Sequence, residues 1–388
     1  MRTYLGVLIA VAACGGTPSA GTADGNSSPD AAPLPIGPYD HRVDAADVSI
    51  LYPIDGHTDP AQLISADASG AFGALLPATA IPSLNGGLNV GGDLHLVALR
   101  LDPCSAHGTC AAEVRAVFQP IATDSGGTTV VDGAVHVFYT MSQDELVMML
   151  EQLLTLKHSV SPQVTYLDAL GPQPILVSTG LTGDFANGLR ALALEHLGAQ
   201  RITRITTMAH ANLDGDIWQF ALFNGTAGAV TATSIINVGM PLQGVDGSRA
   251  DVDLLGGISG SPSTTPTVPA IDILASAGRP TQLTTAVSDS FAAAIDVEHP
   301  LHHNSEDTDC VTCHAAEGAH RAGTDLFALV DSGAYASARS LAYRRDQRAV
   351  TDFHAFGYLG TAVSVMQRTA NESALAADRL AALLPAAQ

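Results

Sequence analysis

Cys310-Val311-Thr312-Cys313-His314 is the most constraining stretch of this 388-residue protein. At about 3.6 residues per helical turn, its two thiols stand roughly one turn apart and an imidazole follows at once. Such a grouping serves a few chemistries. A zinc site would take Cys310, Cys313 and two nearby histidines. A thiol–disulfide centre needs a thioredoxin-like βαβ setting, and no such pattern surrounds the motif.

The N-terminal end bears on which chemistry applies. Arg2 is a short basic head, and residues 4–12 form an apolar run too short to span a bilayer as a stable helix. The run ends in Val11-Ala12-Ala13-Cys14, which resembles the bacterial lipobox. That resemblance implies a signal peptide over residues 1–13, cleavage before Cys14, and acylation of the Cys14 thiol. An ordinary secretory signal is the alternative. Either reading exports the protein to the cell envelope, at the periplasmic or outer-membrane face for a lipoprotein. Residues 14–40 are mostly Gly, Ser, Thr, Ala, Pro and Asp, and read as a flexible tether.

Export puts the cysteines in an oxidising compartment. Cys104 and Cys110 flank a short turn, and a disulfide between them is expected, worth about 2 kcal/mol by restricting the unfolded state. The net charge of −21 argues against nucleic acid and anionic lipid headgroups as partners and favours basic ones.

The fold class expected is α+β. Residues 41–270 read as a β-rich α+β domain, and residues 271–388 as a smaller, mainly helical and loop region containing the Cys310 motif. Residues 93–101 alternate apolar and polar and are answered by residues 112–121, with Val114, Ala116 and Phe118 on one face, so a hairpin is predicted. Residues 128–140 suggest another strand pair around Asp132-Gly133. Ser142 and Glu145 make a capping pattern ahead of an apolar stripe at Leu146, Leu150, Leu153 and Leu154. Residues 184–197 read as a second amphipathic helix with Gly198 as its C′ residue, and residues 201–209 and 217–223 as strands. Residues 259–269, rich in Ser, Thr and Pro, mark the interior boundary. Residues 284–294 and 374–384 read as helices, the latter with Ser373 as its N-cap.

In an exported protein, C-x-x-C-H reads best as the attachment sequence for c-type haem. The spacing lets two thiols reach the two vinyl groups of one porphyrin and sets the next imidazole against iron. Cys310 to His314 resembles the c-type cytochromes, over at most the last third of the sequence. The resemblance implies one covalent haem c, thioethers at Cys310 and Cys313, and His314 as proximal ligand. No second copy of the motif occurs, so a single haem is expected.

For the sixth iron ligand the sequence offers several groups. His303 stands seven residues before Cys310 and is the favoured histidine; His302 is weaker. Met366 is the rival, in the class I cytochrome order but without the flanking proline of that family. A thioether raises the potential, a second imidazole lowers it, and an open position would admit ligand binding or peroxidase chemistry.

Residues 99–120, 201–208 and 356–373 also resemble a group of myxobacterial lipoproteins that join a β-rich region to one C-terminal haem motif. That resemblance implies architecture only. The expected function is one-electron transfer by a lipid-anchored, single-haem cytochrome with a redox protein partner. Haem-based sensing, peroxidase chemistry, or a zinc-stapled envelope binding protein are the alternatives. An electron carrier is favoured over an enzyme, because the sequence shows no Gly-rich phosphate loop, serine elbow or H-E-x-x-H.

Overall fold

The hairpin predicted between residues 93–101 and 112–121 forms. Strands β2 (Leu94–Asp102) and β3 (Glu113–Asp124) pair antiparallel, and Val114, Ala116 and Phe118 share a buried face. The structure is a computed structural model that describes residues 43–68, 93–104, 111–131, 133–160, 169–210, 217–246, 280–337 and 353–384, with 274, 339, 344 and 345. All of these belong to one compact unit, Leu34–Gln388, which runs across the expected boundary near residue 270; residues 259–269 lie outside the described residues.

The fold is α+β, built among the described residues on a nine-stranded antiparallel sheet. Helix α1 (Ala45–Val48) leads into β1 (Ser49–Leu51), which borders β2. After β3 come β4 (Gly127–Val130), β5 (Ala134–Thr140) and helix α2 (Gln143–Val160). Helices α3 (Pro174–Thr179) and α4 (Asp184–His196) precede β6 (Ile202–His210), β7 (Ile217–Thr226), β8 (Ala229–Ala232) and β9 (Leu242–Asp246). The C-terminal part holds α5 (Thr285–Glu298), α6 (Cys310–Phe327), α7 (Gln367–Leu383) and a small sheet of β10 (Arg344–Arg345), β12 (Ala362–Val365) and β11 (Phe356–Leu359).

Register makes the two faces of the large sheet chemically different, because successive side chains point to opposite sides. One face carries the row Leu99, Ala116, Val137, Ile205, Phe223. All five are buried, in the same core as Leu146, Leu150 and Leu153 of α2 and Phe185 and Leu189 of α4. The other face carries the row Arg100, Arg115, Phe138, Arg204, Asn224. Beside it runs Ala98, Val117, His136, Thr206, Leu222, and then Ala134, Met208, Phe220, Gln243.

This polar face is covered by the C-terminal part of the protein. Ser49 Oγ meets Ser373 Oγ at 2.7 Å, Arg204 donates to Ser305 Oγ at 2.9 Å, and Gln243 donates to Asp309 at 2.7 Å. Gln119 pairs its amide with the backbone of Tyr358, at 2.9 and 2.8 Å. A Cβ on Gly357 would collide with Gln119 Oε1, so this approach requires glycine. Likewise Gly323 lets α6 close on Phe291 of α5, where a Cβ would run into the ring.

The Ser142–Glu145 capping box forms reciprocally: Ser142 N–H donates to Glu145 Oε2 at 2.8 Å and Glu145 N–H to Ser142 Oγ at 3.2 Å. Other local expectations shift. The strand pair expected around Asp132-Gly133 does not form as a hairpin. Instead β4 and β5 both pair with β3, which is long enough for both, and the tight turn lies at residues 125–126. Gly198 keeps a φ of −93° and is no left-handed C′ residue; α4 ends at a Leu197 cap. Helix α7 starts at Gln367, earlier than expected, with Met366 as its N-cap. Ser373 lies inside the helix and donates back to the Thr369 carbonyl at 2.6 Å, so it is no cap.

Candidate functional site

Helix α6 begins at Cys310 because Asp309 caps it. The fully buried Asp309 carboxylate accepts from Thr312 N–H at 3.0 Å. Gln243 of β9 holds this cap in place. Its amide donates to Asp309 Oδ1 at 2.7 Å, and its carbonyl oxygen accepts from Val311 N–H at 3.1 Å. The turn that carries both cysteines is thus fixed to one strand of the large sheet.

Cys310 and Cys313 are free thiols. Burial, followed by the Asp309 charge, pushes the Cys310 thiol up to about 12, and burial raises Cys313 as well. Both stay protonated at neutral pH. Each nevertheless keeps some accessible surface. For Cys310 that surface faces a cavity of about 410 Å³, walled by Glu113, Arg204, Thr206, Leu222 and Asn224 of the polar sheet face.

His314 follows on the same turn. Its Nδ1 is bonded to the Phe353 carbonyl, and its ring lies 4.9 Å from that of Phe220, centroid to centroid. A carbonyl only accepts, so the proton sits on Nδ1 and the lone pair on Nε2. Metal-binding histidines are commonly oriented through such a bond on the other ring nitrogen.

A charged network surrounds the motif on the sheet side. Glu372 of α7 pairs with Arg100, with Arg368 at 2.9 Å and with Arg115 at 3.9 Å. Arg100 also meets Asp102, and Arg115 meets Glu113, each at 3.2 Å. Arg115 and Arg204 flank Phe138 in its row, their guanidinium carbons 4.6 and 3.9 Å from the ring centre. The Nε atoms of Arg100, Arg115 and Arg204 are buried with no hydrogen-bond partner among the described residues. Burial, and then Arg100, lower the Arg115 pKa. Haem carries two propionate carboxylates. A thiol at the cavity, a second thiol on the same turn, an oriented imidazole and buried guanidinium nitrogens are the groups that would meet haem.

The expected sixth ligands are placed differently. His303 bonds Asp296 at 2.9 Å and approaches Asp307 at 3.4 Å; the Asp307 bond, with Asp296, outweighs the lowering effect of burial and leaves its pKa raised. His302 is exposed, bonded to Asp296 at 2.6 Å and stacked on His299 at 3.8 Å. Met366 is buried, and its N–H donates to the Ala355 carbonyl at 3.1 Å. Of the acids preceding the motif, Asp309 is the helix cap and Asp307 serves His303, while Glu306 is exposed near Arg204.

Among the described residues no group of three or more His, Cys, Asp and Glu side chains is placed to hold a metal ion. Cys14 and Cys110 lie outside the described residues, and with them the lipid anchor and one end of the expected disulfide. Cys104 follows the end of β2 with a φ of 63°. No described helix is long and apolar enough to cross a membrane.

Two contributors to this site are not apparent from the motif: Gln243 and the Arg–Glu network. The available signal was strand alternation, which puts Arg100, Asp102, Glu113, Arg115 and His136 on one face. Alternation by itself reads as a solvent-facing side. Comparison with protein-family models, curated proteins and solved structures gives no match.

Proposed function

We propose that this protein is a single-haem c-type cytochrome that carries one electron at a time at the cell envelope, anchored there through lipid on Cys14. The observation that carries this reading is the first turn of α6: two free thiols and an imidazole whose Nδ1 is bonded to the Phe353 carbonyl. Each thiol would add across one vinyl C=C, its sulfur to one carbon and its proton to the other, so no oxidant is consumed. His314 would ligate through Nε2. Haem bound in this way supplies a one-electron iron couple.

The surrounding residues support that role. Gln243 and Asp309 hold the attachment turn, and the Phe353 carbonyl holds the imidazole. Arg115 and Arg204 offer cationic donors to propionates. The net charge of −21 favours a basic redox partner.

The test is expression of the full-length protein in a host competent for c-type haem maturation, followed by a pyridine haemochrome spectrum and intact mass. One covalent haem per polypeptide and a reversible one-electron titration are expected, with no covalent haem in the Cys310→Ala, Cys313→Ala double variant. A colourless product with the mass of the apo protein would refute the reading.

A further inference from the structure

We infer that Trp218, the single tryptophan of the protein, is a positioning residue for the His314 imidazole, acting through the peptide unit between Phe353 and His354. This rests on reading His314 as the proximal ligand of the proposed haem, and it adds a residue that fixes how that ligand is presented.

The carbonyl that accepts from His314 Nδ1 belongs to the planar peptide joining Phe353 to His354. Its direction is therefore set by the two residues that flank it. Both present their rings edge-to-face with the same indole. The Phe353 and His354 centroids stand 6.0 and 5.8 Å from that of Trp218, at interplanar angles of 73° and 89°. In an extended strand consecutive side chains point to opposite sides. Two neighbours meet one ring where the backbone leaves that path, and the regular strand β11 begins only later, at Phe356. Contact with Trp218 on both sides of this peptide thus holds the carbonyl in its aim.

The other end of the bond is held from the same strand. Phe220, two residues along β7 and so on the same face as Trp218, packs against His314 with ring centroids 4.9 Å apart. Trp218, Phe220, Phe353 and His354 are all buried. Beyond the peptide, the His354 and Ala355 carbonyls accept from Ser364 Oγ at 3.4 Å and Met366 N–H at 3.1 Å. Those bonds anchor the segment to β12 and the cap of α7, while the indole anchors it to the large sheet. A bond on Nδ1–H makes an imidazole more basic at Nε2 and steadies its orientation. A more basic ligand stabilises ferric iron, so loosening the bond raises the potential.

The experiment compares the full-length parent protein with Trp218→Leu, Trp218→Phe and Phe353→Leu, and with Phe185→Ala in α4 as a control for general loosening of the core. In protein produced without haem maturation, nitrogen NMR should show His314 as the Nδ1–H tautomer, its resonances assigned by their absence from His314→Ala. Trp218→Leu should show a mixture of tautomers, and Trp218→Phe, which restores an aromatic edge, should return toward the parent. In matured protein Trp218→Leu should keep covalent haem and raise the midpoint potential, Trp218→Phe should lie nearer the parent, and Phe185→Ala should leave the potential in place. Phe353→Leu removes the other half of the contact but keeps the carbonyl, so it carries the same expectation as Trp218→Leu should that variant fail to fold. A folded Trp218→Leu or Phe353→Leu protein with the parent's tautomer and potential overturns the inference, as does an equal shift in Phe185→Ala. A parent without covalent haem defeats the proposed function and leaves the tautomer measurement to decide this inference.

Discussion

His314 and Phe353, thirty-nine residues apart, are joined by a hydrogen bond from the imidazole Nδ1 to a backbone carbonyl. The bond sets both the tautomer and the direction of the ring. A segment distant in sequence therefore decides which nitrogen His314 would offer to a metal.

His314→Ala should leave both thioethers in place while removing the proximal ligand. The pyridine haemochrome yield is expected to stay close to that of the parent, while the native spectrum shifts to a weaker-field form. Unchanged ligand spectra would count against His314 as the ligand.

Glu372→Gln should be strongly destabilising, because it leaves Arg100, Arg115 and Arg368 buried with less compensating charge. Removing one partner of such a cluster costs about 3–5 kcal/mol, read as a lower urea midpoint. Burial opposes the Glu372 charge, but the three arginines outweigh it and bring its pKa down to about 2. Its folded pKa is depressed, so its contribution is present above the ordinary value of about 4.3. That contribution is lost as pH falls through about 2. The variant should lack this acid-dependent loss.

The alkaline side should depend on His320. Burial opposes its charge, but Glu298 at 2.7 Å and Asp331 at 2.9 Å outweigh it and raise the pKa to about 9. A raised folded pKa gives stability fully present below about pH 6.5 and lost as pH rises through the folded value. Thermal melts across that window should show a decline that His320→Gln removes.

Cys14→Ala should release the protein from membranes. Fractionation after a high-salt wash measures this, and a variant that stays membrane-bound would rule out the lipid anchor.

Much of the scaffold was legible in the sequence, for physical reasons. Strand period placed Val114, Ala116 and Phe118 together, and the Ser142–Glu145 box marked the start of α2. The β4 and β5 pairing was not legible, since both strands share β3 and that choice is tertiary. Nor was the start of α7: Ser373 looks like a cap, but its hydroxyl bonds Ser49 and the Thr369 carbonyl inside a longer helix. At the candidate site, Cys310, Cys313 and His314 were readable because they fall within five consecutive residues. Gln243 and Glu372 were not, because only folding brings them near the motif.

The pairing of Arg100 with Glu372 has a consequence for biogenesis. The hairpin strand bearing that arginine is synthesised early, and the acid that neutralises it arrives near the end of translation. Until then the nascent polypeptide holds an incomplete electrostatic seam, so a truncated product ending before α7 should expose it and be open to proteolysis.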